Sequence, residues 1–434
     1  EEEVANNATY YLLWFLFFMV GTFNNFGYVV ILSAAKSLAD CFDESNLIGV
    51  EAWALIGCGF IVKSVNAFYL EGISHRVRAH ICGFLFLSGY TLLSFSVYVD
   101  FWFAIFAILL IGIACSWGES IILGYCKLFP AKMSGAWSSG TGMAGLGGAG
   151  LYLLLAEVLQ FTNQAIFLFM IPSAIVYMIA IELSWRSTLR KPWKRPQSLS
   201  TLPHVRVNSG DDSNRPLLTD EDESDYEKEP ESAPSLEHVQ KMAKQERWQQ
   251  IKRCFYMSWY RNLMLLLVYV FEYVISVGLA QIANTDRSES RQDFDYVILA
   301  TCYQFGVFLS RSSVSVVELP YFGTMTLMQL ANVVLWVIHV ETDLFHYEVI
   351  QFVLMIYVGL LGGAMYVNCA YSILTDKQIS SKDRELCMNL MALAVNIGIT
   401  LSSVLELVMD NTFFANLVAK SSAGGSSNKG CDTL

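Results

Sequence analysis

Charge is what this sequence has least of. Lys, Arg, Asp and Glu make up 15% of its 434 residues, against about 25% in a soluble domain. Ten of the acids crowd into residues 211–231, so the net charge of −11 is largely the property of one segment. Such a composition stays unfolded, and it offers a nucleic acid no basic face. Paired ligand spacings are missing as well. None of the ten cysteines forms a C-x-x-C. Most lie in apolar blocks, where a thiol behaves as a small hydrophobe, so neither a metal site nor a disulfide framework is expected. H-E-x-x-H and G-x-S-x-G are absent, which removes two common hydrolase chemistries. No cofactor is expected, and the chain is not expected to be an enzyme.

What is present is apolar. Hydrophobic residues make up 54% of the chain. They fall in blocks about twenty residues long, enough to cross roughly 30 Å of hydrocarbon. The spans read as 10–35, 49–71, 79–99, 102–126, 135–160 and 163–185, then 260–283, 294–313, 320–340, 347–374 and 385–409. This is an all-α polytopic membrane protein of about eleven helices. A six-helix bundle (1–185) precedes a linker (186–259), a five-helix bundle (260–410) and a flexible tail (411–434). The first block is too long for a cleavable signal peptide, and a chain opening on Glu1 is expected to lack its first residues. Short loops set the orientation. Arg76 and Arg78, Lys127 and Lys132, and Lys377, Lys382 and Arg384 all fall on the linker's side, together with the basic start of the linker itself. The N-terminus and the linker are therefore expected in the cytosol and the C-terminus across the membrane. Within the linker, 236–256 reads as an amphipathic helix, with Leu236, Val239, Met242, Trp248, Ile251 and Phe255 near one face. Such a helix can lie on the bilayer surface.

Residues 140–145, GTGMAG, fit the G-x-G-x-x-G dinucleotide fingerprint. That fingerprint needs a preceding strand and an αβ unit, and the preceding block here is a membrane span. Gly140, Ala144 and Gly148 instead recur at four-residue spacing, which lets helix backbones approach closely in lipid. Two readings stay open: a rigid seam, or a helix that also bends during transport.

Several longer stretches identify a family. NNFGYVVILSAA (24–35), GES (118–120), FP (129–130), WSSGTG (137–142), ERW (246–248), FEYVISVGL (271–279), YQFGVFLSRSS (303–313), GLLGGAMYVN (359–368) and NIGITLSSVL (396–405) resemble the battenin family, the endolysosomal membrane proteins of juvenile neuronal ceroid lipofuscinosis. The resemblance runs from about residue 10 to 410. It implies a major-facilitator-like fold in late endosomes and lysosomes, tied to clearance of glycerophosphodiesters, to basic amino acid levels and to lysosomal pH. It also implies a dileucine-type sorting signal for cytosolic adaptors, with a counterpart in Leu217 and Leu218 and an upstream Asp212. The terminal Cys431 is similar to the family's prenylation site, yet the span count puts the tail across the membrane from the prenylating enzymes. The first far-side loop (36–48) is shorter than the glycosylated loop of mammalian members. Gly72, Arg76 and Arg78 resemble the facilitator loop motif without its Asp.

Ionisable groups at membrane depth point to function. Lys63, Glu119 and Glu272 lie inside spans, and Arg311 closes the eighth. In facilitator-like folds the first, fourth, seventh and tenth spans line the cavity, which by analogy selects Asn24, Asn25, Glu119, Glu272, Tyr366 and Asn368. Lys63 would supply the cation for an anionic solute, or form a buried structural pair with Glu119. Glu272 has no cation in its own span and is the better proton carrier. Glu51, Glu157 and Glu406 read as interfacial, and His339 and His346 as lying near the far side. The chain is thus expected to be a transporter of a small polar solute, or else a non-transporting regulator of trafficking and pH acting through its linker.

Overall fold

A computed structural model describes residues 2–42, 44, 50–51, 53–70, 72–190, 236–283, 289–315, 317–345 and 347–413. Asp212, Leu217, Leu218, His346 and Cys431 lie outside the described residues. Among the described residues the chain is helical throughout, without a strand.

Among the described residues, eleven long helices match the eleven apolar blocks. They are α1 (Glu2–Cys41), α2 (Trp53–Leu70), α3 (His75–Phe95), α4 (Phe101–Tyr125), α5 (Lys132–Leu153), α6 (Asn163–Arg190), α7 (Leu236–Tyr273), α8 (Glu289–Ser312), α9 (Phe322–Thr342), α10 (Glu348–Thr375) and α11 (Arg384–Asn411). Nine of them carry a stretch long and apolar enough to cross a membrane. The other two are α5, diluted by Gly and Ser, and α8, which opens with several charges. At 22 and 24 residues both still reach about 33 Å or more, and both are packed between neighbours. Lipid-facing positions stay apolar, as Trp102, Phe106, Phe169, Ile179 and Val353 show. A membrane solvent requires this, since it has no water to receive polar groups.

Helix α5 is the seam of the molecule. On one face, a Cβ at Gly140 would strike the backbone of Phe18 and Thr22, and one at Gly148 would meet Val29 at 3.0 Å. Ala144 is buried on the same helix. These contacts bind α5 to α1 within the first half. On another face, Gly142 and Gly145 lie against Phe308 and Gln304 of α8, and Gly135 against Val314 in the turn just after it, tying α5 to the second half. The glycines do not interrupt the helix, which runs unbroken from Lys132 to Leu153 and ends in a π turn at Leu154–Val158.

The amphipathic linker segment is not a separate surface helix. It is the first part of α7, a single helix of 38 residues. No Gly or Pro occurs between Leu236 and Tyr273, so nothing breaks the rod as it enters the membrane. Cys41, at the end of α1, is disulfide-bonded, against the expectation of none. The apolar-block argument covers thiols inside spans, and Cys41 lies at a span's end. Eight other cysteines are free.

Candidate functional site

A polar layer crosses the molecule near mid-depth, where the halves meet. Lys63 on α2 is buried and pairs with Glu119 on α4 at 2.5 Å. It also donates to the Ala392 carbonyl (3.2 Å) and the Asn396 side-chain oxygen, both on α11. Asn396 reaches it because the facing residue is Gly59, where a Cβ would collide with the Asn396 amide. The second Glu119 oxygen accepts from Tyr366 on α10 at 2.7 Å. Trp137 on α5 donates to the same Tyr366 hydroxyl at 3.5 Å. Arg311 lies over the Tyr366 ring, 4.5 Å from its centroid, and donates to Thr141 (2.6 Å) and Tyr269 (3.1 Å). Glu272 on α7 is buried against Gly362, accepts from Tyr303 at 2.7 Å, and leaves its other oxygen unpaired.

The remaining residues expected at a solute site are engaged differently. The Asn24 amide donates to Asn25 (2.9 Å) and to the Cys115 carbonyl (3.0 Å), joining α1 to α4. Asn368 accepts from the Leu319 backbone at 2.7 Å and donates to Ala364; it tethers the loop before α9. His339 is buried at the far end of α9, where it accepts from the Phe345 amide at 3.3 Å. Glu51 is buried rather than interfacial, with both oxygens unpaired.

Toward the linker side the mouth is closed by charge. Glu385, at the start of α11, receives Arg78 (3.0 Å), His75 (3.1 Å) and Lys127, all from the first half. Glu385 thus partners Arg78 at the start of α3, while Arg76 pairs instead with Glu182 at 2.8 Å. Arg78 also holds Asn66 (2.9 Å), which Trp117 reaches at 2.8 Å. A second tie lies above this one. From α7, Arg247 donates to the Ala67 carbonyl of α2 at 2.6 Å, and Gln250 and Arg253 hold Asp383 at 2.9–3.1 Å. Burial pushes the Asp383 carboxyl up, but hydrogen bonds from Arg253, Gln250 and Ser380 outweigh it and hold the group below the usual range. Away from this mouth, a small cavity lies between α2 and α11, lined by Trp53, Ile56, Gly57, Thr400 and Ser403.

Tyr269, Tyr303, Asn396, Thr141 and Glu385 were not singled out by the sequence. Tyr303 and Asn396 sit within the matched stretches 303–313 and 396–405, but their partners are distant in the chain, and spacing alone does not reveal them.

Two packed helical halves, joined by a linker and meeting at a buried charged layer, define a membrane protein of the major facilitator fold. Solved structures agree. The proton:xylose symporter XylE bound to 6-bromo-6-deoxy-D-glucose superposes with a TM-score of 0.59 at 13% identity, covering 96% of this chain and 94% of its own. The transporter FucP in its outward conformation gives 0.53 at 11%, covering 96% and 98%. At these identities the likeness concerns the fold alone.

The chain belongs to the CLN3 protein family, whose pattern matches residues 15–416. It is 36% identical to battenin of Dictyostelium discoideum over 98% of this chain and all of that protein. It is 28% identical to battenin of Canis lupus familiaris, covering 90% and 89%. Protein btn-1 of Neurospora crassa is also 28% identical, covering 91% and 86%.

Proposed function

We propose that this protein is a transporter of the late endosomal and lysosomal membrane. It moves a small polar solute, of the glycerophosphodiester or basic amino acid class, out of the lumen and so supports lysosomal pH. The observation that carries this reading is the polar layer at the meeting of the halves, with Lys63, Tyr366 and Glu272 buried and Glu119 and Arg311 half-buried among them. Ionisable groups at that depth are costly, and they are kept where a solute or proton passes. Rocking of the halves would expose the layer first to one side and then to the other. The linker side is cytosolic by its Lys and Arg bias. The disulfide at Cys41 supports an oxidising lumen at the opposite end of α1.

Glu272 is the proton carrier and Lys63–Glu119 a neutral pair that rides with the first half. The linker carries the sorting signal of Asp212, Leu217 and Leu218, read by cytosolic adaptors. The deciding experiment is uptake of labelled glycerophosphodiesters and of lysine into proteoliposomes with the acidic lumen imposed. Saturable flux of either supports the proposal. Absence of both, with the protein folded, favours a second reading, in which the chain regulates trafficking without transport. The observation behind that alternative is the clamp of α7, continuous with the linker, onto both halves.

A further inference from the structure

The layer holds two cations, Lys63 fully buried and Arg311 half-buried, and they are not equivalent. Lys63 and its carboxylate partner Glu119 lie in the same half, on α2 and α4. When the halves part, Lys63 loses Asn396 and the Ala392 carbonyl, both on α11, but keeps Glu119. It enters an open cleft already neutralised. Arg311 behaves in the opposite way. Its partners Tyr269 and Tyr366 belong to its own half, whereas Thr141 is on α5 of the other half. Its Nε is enclosed without a partner. The layer's two carboxylates are bound elsewhere, Glu119 by Lys63 and Tyr366 and Glu272 by Tyr303. Neither forms an ion pair with Arg311. On opening, Arg311 therefore gives up Thr141 while two tyrosines of its own half still hold the guanidinium plane in place. Nη1 is released and Nε stays unpaired. A planar, pre-oriented guanidinium with free N–H donors in a poorly solvated cleft is the arrangement that takes a phosphate or carboxylate oxygen.

We infer that Arg311 is the anion-receiving group of the solute site, and that it grips a phosphodiester which Lys63 does not touch. The inference rests on the transporter reading for its setting, but it is tested by binding, separately from flux. Probes are glycerophosphoglycerol and glycerophosphoinositol, in which the phosphodiester is the only charge, with lysine as the cationic control. Affinity is read from ligand-induced thermal stabilisation of purified protein. The variants are Arg311→Gln, Arg311→Lys and the double Lys63→Gln/Glu119→Gln, which removes both charges of the pair together. The wild type is expected to bind the phosphodiesters. Arg311→Gln should lose about 10- to 100-fold in affinity, the scale of a charge-assisted hydrogen bond. Arg311→Lys should fall between them, and the neutral double variant should stay within a few-fold of wild type. If Arg311→Gln is too unstable to purify, the Arg311→Lys and double variants carry the comparison. Phosphodiester binding that survives Arg311→Gln, or that disappears in the double variant while Arg311→Lys binds as wild type, overturns the inference. So does a wild type that binds no phosphodiester, even if it transports lysine. Binding without flux in any vesicle would sink the transporter reading and leave Arg311 as the anion site.

Discussion

Glu272 keeps one oxygen on Tyr303 and the other unpaired, so it can exchange a proton without breaking an ion pair. Glu119 cannot, because Lys63 holds it. Glu272→Gln is therefore expected to leave folding intact while making solute flux in proteoliposomes indifferent to an imposed pH gradient. A variant that still follows the gradient would make the carboxylate structural. Asp383 offers a clearer case of pH dependence, since it lies in the loop before α11. Its carboxyl is held below the ordinary value, so its contribution is complete above the unfolded pKa of about 4 and lost as pH falls through the lowered one. Asp383→Asn should thus expose residues 245–256 to faster hydrogen exchange at about pH 7. After correction for intrinsic rates, variant and wild type should converge only as the pH falls through the lowered carboxyl value, below the ordinary Asp range. Equal protection at neutral pH would mean that Arg253 and Gln250 do not hold the loop. At this scale the sequence was partly readable. Lys63, Glu119 and Glu272 stand out as charges within apolar runs. Asn396 and Glu385 do not, because their partners lie hundreds of positions away and their meaning arises only when the halves meet.

Among the elements, α5 separates two kinds of glycine that look alike in sequence. Gly140 admits the backbone of α1, within one half, and Gly142 admits Phe308 of α8 across the interface, where an added Cβ would come within 2.8 Å of the Phe308 Cα. Gly140→Ala should lower the thermal midpoint, since overpacking a tight crossing costs about 1–3 kcal/mol. Gly142→Ala should cost less stability and more turnover, because it props apart surfaces that must close in each cycle. Measuring melting and flux on both variants decides the matter, and identical profiles would refute the distinction. The spans themselves were legible, since a run of about twenty apolar residues has few alternatives in a bilayer. The unbroken entry of 236–256 into α7 was not. Amphipathic periodicity describes a helix lying on a surface and a helix docked on a protein equally well.

Across the whole molecule the linker-side mouth is shut by Glu385, the cations Arg78 and Lys127, and the His75 ring that converges with them. Glu385→Gln removes their shared anion, and breaking a buried pair costs about 3–5 kcal/mol. In a protein with two closed-packed states that energy should shift the balance toward opening rather than unfold the chain. Spin labels at Lys132 and Lys382, both exposed in this structure, should then report a longer distance than in wild type. An unchanged distance with a lower melting point would assign the cluster to stability alone.

The 38-residue α7 is a rod of about 57 Å with one end in the polar layer at Glu272 and Tyr269 and the other reaching into the linker. Arg247 and Arg253 fasten it over the mouth. Thermodynamic linkage then makes the two ends one instrument. A protein that grasps the projecting end only when the fastening is undone would hold the mouth open, and cargo that opens the mouth would strengthen that grasp by the same factor. The membrane protein would in this way announce how full it is to whatever machinery sorts it.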